Sequence, residues 1–206
     1  MSRLLRFCSA LALLPLFSIL PQAHAREIPR PASHVDADGP YVFRDGGHLQ
    51  AAWICDDKVR RSTAAAPDAT ATIAPQCGFP SAVNVLPPAH PTAAVLPAAD
   101  RIVALSDIHG QYGLLVRLLR ANGVIDAQNR WALGTATLVV AGDVFDRGPQ
   151  VTEAFWLLYS LQQQAAAAGG AVHFVLGNHE TMVLYDDLRY VNPKYLRSAQ
   201  LLGRSY

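Results

Sequence analysis

Leu138-Val139-Val140-Ala141-Gly142-Asp143-Val144-Phe145-Asp146-Arg147-Gly148-Pro149 decides the fold. Four apolar residues run into a glycine, two carboxylates and an arginine. After Pro149, residues Val151, Ala154, Phe155, Leu158 and Leu161 share one helical face, until Gly169-Gly170 stops the helix. The order is strand, polar loop, helix. The same order stands on both sides. Upstream, apolar Ile102–Leu105 leads into Ser106-Asp107-Ile108-His109-Gly110. Leu114, Leu115, Leu118 and Leu119 then recur at helical spacing up to Asn122-Gly123. Downstream, apolar Val172–Leu176 leads into Gly177-Asn178-His179-Glu180, and a third helical segment starts near Glu180. The fold class is α/β: a βαβαβ unit with a parallel sheet. Its strands show no polar alternation, which predicts burial on both faces.

Loops beyond the carboxyl ends of parallel strands are where such sheets build sites. All three polar stretches sit there, so Asp107, His109, Asp143 and Asn178 are expected to converge. Asp107 and His109, two residues apart, can offer an oxygen and an imidazole nitrogen to one cation. Asp143 has two carboxylate oxygens and can bridge two cations, and Asn178 can give an amide oxygen to the second. Two divalent ions so placed can hold a bridging hydroxide and phosphoryl oxygens together. Arg147 matches two phosphate oxygens with its planar fork. His179 is placed to protonate a leaving alkoxide, and Asp146 to hold that imidazole in one tautomer. Taken singly, each stretch has a plainer reading. Asp-x-His is a weak signal, Asp-Arg-Gly is a turn with a surface ion pair, and Asn178 is a helix N-cap. All three in order, each closing an apolar strand, point to phosphoester hydrolysis.

The region around Arg101–Tyr195 resembles the metallophosphoesterase superfamily, and within it the phosphoprotein-phosphatase branch. Asp143–Gly148 and Asn178-His179-Glu180 are similar to that branch's second and third signatures. Asp187-Leu188-Arg189-Tyr190-Val191 and Asn192-Pro193-Lys194-Tyr195 resemble the bacterial Shewanella-like phosphatases. The resemblance implies an N-terminal half of the superfamily's α/β sandwich over residues 100–206. It implies Asp107, His109 and Asp143 on a first metal, and Asp143 and Asn178 on a second. The metals implied are Mn²⁺, Fe²⁺/³⁺ or Zn²⁺. Arg147, Asn178 and His179 would bind phosphate, with His179 as general acid and Asp146 its partner. Expected substrates are phosphorylated proteins, peptides or small phosphoesters. The alternatives are a dinucleoside polyphosphate hydrolase, or an inactive metal- or phosphate-binding fragment. Ser106 stands where the branch usually has glycine, with little effect expected. The superfamily completes its second metal site with two downstream histidine segments, and no histidine follows His179. The second site is therefore expected to be incomplete, and the sheet to lack its covering second sheet.

The remaining sequence bounds the setting. Arg3 and Arg6 precede the apolar run Phe7–Leu20, and Ala23-His24-Ala25 is a small-x-small cleavage signal. The run is too short to span a bilayer and contains Pro15. Residues 1–25 are thus expected to be a signal peptide cleaved near Ala25. That implies export to a bacterial periplasm without stable membrane insertion. Removing Arg3 and Arg6, with no acidic residue in 1–25, takes the formal net charge from +1 to −1. Neither value implies a nucleic-acid partner. Cys8 would leave with the signal, and Cys55 and Cys77 would form one disulfide in an oxidising compartment. Residues 26–99 read as an N-terminal extension. Tyr41-Val42-Phe43 and Ala51–Ile54 form a short hairpin around Asp45-Gly46-Gly47. From Ser62 to Ala99 a Pro/Ala-rich linker lies on the main domain. His173 is expected to be a packed core histidine. His34, His48 and His90 have no partner at ligand spacing, and Trp53, Trp131 and Trp156 are packing residues.

Overall fold

The computed structural model describes residues 27–45, 48–65, 70–79, 81–87, 95–96 and 98–206. The expected signal peptide, the Gly46-Gly47 turn and His90 lie outside the described residues. The N-terminal part is more regular than its composition suggests. Strands β1 (Ala37–Asp45), β2 (His48–Cys55) and β3 (Lys58–Ala65) form an antiparallel sheet in that order. The tight β2–β3 turn uses Asp56 and Asp57, both with positive φ. Strands β4 (Ala71–Ile73) and β5 (Val83–Val85) pair antiparallel inside the stretch expected to be a linker. Three-residue strands fall below the length at which an alternating pattern can be read, and β3 acquires its partner only across the sheet. Cys55 and Cys77 form the expected disulfide, with Cα atoms 5.5 Å apart. Trp53, 1% exposed, packs beside it against Phe79.

The C-terminal unit follows the expected order as far as its third helix, and a fourth helix follows. It contains β6 (Ile102–Leu105), α1 (Tyr112–Ala121), β7 (Thr137–Val140), α2 (Val151–Ala167), β8 (Ala171–Phe174), α3 (Asn178–Leu184) and α4 (Pro193–Leu202). The sheet order is β6-β7-β8, all parallel, so the three strand ends are neighbours. Register places Val103, Leu138 and Val172 in one row and Leu105, Val140 and Phe174 in another. This face packs under α1 and α2, which contribute Leu115, Val116, Leu119, Ala154, Leu158 and Leu161. Each leucine buried there stabilises by roughly 2 kcal/mol. Leu114 and Leu118 of α1 point outward.

The opposite face departs from the burial expected on both sides. Its rows are Ile102-Thr137-Ala171 and Ala104-Val139-His173, and Ile102 is 62% exposed. His173 is therefore half-buried on an open face, not packed in a core. The apolar run was a correct signal for strand but carried no information about which layers are present to cover it. Among the described residues, no helix is long and apolar enough to cross a membrane.

The N-terminal sheets rest on this unit through α2 and α4. Trp156 Nε1 donates to the Pro40 carbonyl at 3.0 Å, and Gln163 Nε2 to Asn84 O at 2.9 Å. Asp38 is buried and accepts from Ser198 Oγ at 2.8 Å and Tyr41 Oη at 2.5 Å, with Lys194 Nζ at 3.2 Å. His34, expected to be isolated, instead faces Asp36, Asp56 and Asp57 at 3.1 to 3.4 Å. Asp56 and Asp57 reach it only because the β2–β3 turn folds back on residue 34.

Candidate active site

Three loops meet at the carboxyl ends of β6, β7 and β8, and glycines let their backbones touch. A Cβ on Gly142 would lie 2.1 Å from the Gly177 nitrogen. One on Gly148 would lie 2.4 Å from the His109 carbonyl oxygen. No side chain fits either approach. Backbone hydrogen bonds close the seam between the first two loops. His109 N–H donates to Asp143 O at 2.8 Å, Gly110 N–H to Val144 O at 3.0 Å, and Gly148 N–H to His109 O at 3.0 Å. The loops also concentrate backbone strain. Asp107, His109, Asp143, Asp146 and Arg147 all have positive φ, between 46° and 70°. Non-glycine residues there cost of order 1–3 kcal/mol each and persist only where the surroundings hold them.

Asp107, His109 and Asp143 each present a ligand atom within 4.8 Å of the others. The His109 ring is oriented for ligation. Its Nδ1 lies 2.9 Å from the Phe145 carbonyl, which can only accept, so Nδ1 carries the proton and Nε2 keeps its lone pair. That Nε2 stands 3.7 Å from Asp107 Oδ1, near enough for both atoms to reach one cation. Ser106 has a larger part than expected: its hydroxyl donates to Asp107 Oδ2 at 2.5 Å and orients this carboxylate. Asp143 Oδ1 accepts from the His179 backbone N–H at 2.9 Å, which ties the second loop to the third. Two carboxylates and one imidazole in an open cluster suit a divalent cation.

Asn178 is the first residue of α3, not its cap. Gly177 takes the cap position, and the Asn178 side chain stays exposed beside Met182, with Nδ2 4.0 Å from Sδ.

His179, Asp146 and Arg147 form a second, mostly buried set. His179 Nδ1 and Asp146 Oδ2 are 2.8 Å apart, and both residues are nearly inaccessible. Burial pushes the Asp146 carboxyl above its ordinary value, while the bond to His179 pulls it back. Arg147 Nη2 lies 3.3 Å from His179 Nε2. The rings of His179 and His109 meet edge to face at 4.5 Å, so the two sets share a wall.

Sequence reasoning missed Glu180, although it stands in the third polar stretch. It is 4% exposed and accepts four backbone N–H groups. Oε2 receives Asp143 at 2.7 Å and Gly177 at 2.8 Å; Oε1 receives Val144 at 2.8 Å and Phe145 at 3.0 Å. Burial alone would raise its pKa, but the four donors outweigh burial and lower it. The only hint in sequence was its position three residues after a helix cap, where a glutamate closes a capping box. That it grips the neighbouring loop as well is a tertiary fact.

The comparisons with known proteins agree with this geometry. The family described as calcineurin-like phosphoesterase matches residues 100–204. Shewanella-like protein phosphatase 2 of Arabidopsis thaliana is 36% identical over 107 residues, covering 52% of this chain and 27% of that protein. Shewanella-like protein phosphatase 1 of Plasmodium berghei is 37% identical over 94 residues, covering 46% and 26%. The crystal structure of a cold-active protein-tyrosine phosphatase from a psychrophilic Shewanella superposes with a TM-score of 0.72 at 38% identity. That alignment covers 84% of this chain and 52% of that one. The chain thus spans about a quarter of the length of these curated relatives. With the first two strand-end loops gathered into one carboxylate–imidazole cluster and a family match over half its length, the chain belongs to the calcineurin-like phosphoesterases.

Proposed function

We propose that this chain carries the nucleophile-generating and leaving-group half of a metal-dependent phosphomonoesterase of the protein-phosphatase type. The observation that carries this reading is the His179 imidazole. It is held by buried Asp146 on one side, lies beside Arg147 on the other, and stands edge-on to the ligand His109. Asp107, His109 and Asp143 would hold one divalent ion, and Asp143 with Asn178 part of a second site. Bound there, divalent ions of the Mn²⁺, Fe²⁺/³⁺ or Zn²⁺ kind would supply Lewis acidity and activate a water at neutral pH. The protein's own residues do the rest. Arg147 binds two phosphoryl oxygens and neutralises their charge. His179, fixed through Nδ1 by Asp146, would act as general acid toward the departing alkoxide or phenoxide through Nε2, the atom that faces Arg147. Ser106 and Glu180 keep the ligand carboxylate and the loop backbone in place before substrate arrives.

The names of the relatives support a phosphorylated protein or peptide as substrate. Export also belongs to this reading: the apolar run and Ala23-His24-Ala25 precede a chain whose Cys55–Cys77 bridge suits an oxidising compartment. The test compares rates on a phosphotyrosine peptide, a phosphoserine peptide and a dinucleoside tetraphosphate, with Mn²⁺ and after chelation, in a form that carries both halves of the site. Metal-dependent turnover of a phosphopeptide above the dinucleotide is expected. Preference for the dinucleotide, or turnover unaffected by Asp143→Asn, would refute the reading.

A further inference from the structure

The segment joining α3 to α4 has no part in the chemistry above, yet it holds the Arg147 loop at several points. The Arg147 N–H donates to the Tyr190 carbonyl at 2.9 Å, and the Arg147 carbonyl accepts from Asn192 Nδ2 at 2.8 Å. The Pro149 carbonyl accepts from Lys194 Nζ and from the Tyr195 hydroxyl, both at 2.8 Å. The Tyr195 oxygen accepts in turn from the Val151 N–H at 2.6 Å. The Tyr190 ring stands 5.2 Å from His179 and 5.8 Å from the Arg147 guanidinium carbon. Arg147 needs such support because its φ is 63° and that of Asp146 is 70°.

Asn192 serves two partners with one amide. Its Oδ1 accepts from the Lys194 N–H at 3.0 Å and so caps α4, while its Nδ2 reaches Arg147. Only one orientation of the amide satisfies both, since the Lys194 nitrogen must find an oxygen and the Arg147 carbonyl a donor. We propose that Asn192 is a positioning residue for phosphate binding. Through its amide N–H it holds the Arg147 peptide in the left-handed turn that aims the guanidinium at the phosphoryl group beside His179. This rests on the phosphate-binding reading of Arg147 given above.

Two substitutions separate clamping from capping. Asn192→Asp keeps an equally good helix cap but has no N–H to give. Asn192→Ser also caps, is uncharged, and is too short to reach Arg147. Inorganic phosphate binding to the full Mn²⁺-loaded chain is measured by calorimetry, and amide exchange by mass spectrometry on peptides containing Arg147 in the absence of phosphate. Both variants should melt within about 3 °C of the parent, since a good cap is retained. Loss of one hydrogen bond should speed exchange at Arg147 and weaken phosphate about tenfold. Unchanged exchange at Arg147, or unchanged phosphate affinity, in both variants overturns the proposal. Arg147→Ala marks the parent reading. If the unsubstituted chain binds phosphate no better than Arg147→Ala, phosphate recognition by Arg147 fails, and this inference with it.

Discussion

Replacing Glu180 by glutamine exchanges one oxygen for an NH₂ group and should nearly unfasten the site. The carboxylate accepts four backbone N–H groups, from Asp143, Val144, Phe145 and Gly177, two on each oxygen. In glutamine one oxygen becomes an NH₂ group, which faces two donors with two more donors. Hydrogen bonds to a charged group contribute about 1.5–3 kcal/mol each, and a buried donor left unpaired costs a further 1 kcal/mol or more. The destabilisation should therefore be on the order of 3–5 kcal/mol, which for a chain of this size lowers Tm by about 10 °C. The sign of the pH dependence follows from the lowered pKa of Glu180. Its contribution is fully present above the unfolded carboxyl value of about 4.3 and is lost as pH falls through the lower folded value. Urea unfolding of the two proteins should then differ most near neutrality and converge in acid. A difference below about 1 kcal/mol at pH 7, or one that grows as the pH falls, would show that the four N–H contacts do not hold the loops.

Asp143→Asn should weaken Mn²⁺ binding by about 10²-fold or more, read directly by calorimetry, because it removes the carboxylate central to the cluster. Where the parent chain gains about 2.7 kcal/mol of stability at a metal concentration 100 times Kd, the variant at that concentration should gain almost none. Asp146→Asn should leave metal affinity intact but lower turnover by about 10²–10⁴-fold, since His179 loses the partner fixing its tautomer; full activity would remove His179 from the mechanism. Replacing both Cys55 and Cys77 by serine should cost about 3 kcal/mol for a loop of this length, measured against the oxidised parent in urea.

The three strand-end loops were legible because each piece of evidence is local. An apolar run, a polar loop and a helical period are adjacent in sequence, and parallel connections leave few ways to arrange them. Asp107, His109 and Asp143 accordingly meet as expected. Other features depend on residues far apart in sequence. Nothing near Glu180 in sequence announces that it also binds the N–H groups of residues 143–145. Nothing around Asn192 names Arg147 as its partner, 45 residues away. The strands β4 and β5 hide in a proline-rich stretch because each is three residues long and takes its stability from a partner. Half-burial of His173 turns on which layer covers the sheet, which a run of apolar letters does not state.

By itself, then, the amino-acid sequence determined the element order from residue 101 to the third helix, the residue types of the site and the side of the sheet on which they gather. Those follow from periodicity and from chain connectivity. Only the tertiary structure decided the left-handed backbone of Asp107, His109, Asp143, Asp146 and Arg147, the grip of Glu180 and Asn192, and the one-sided burial of the sheet. The physical reason is the same in each case. A strained φ or a buried carboxylate is stable only when partners from distant segments satisfy it, and that sum exists only in the folded chain.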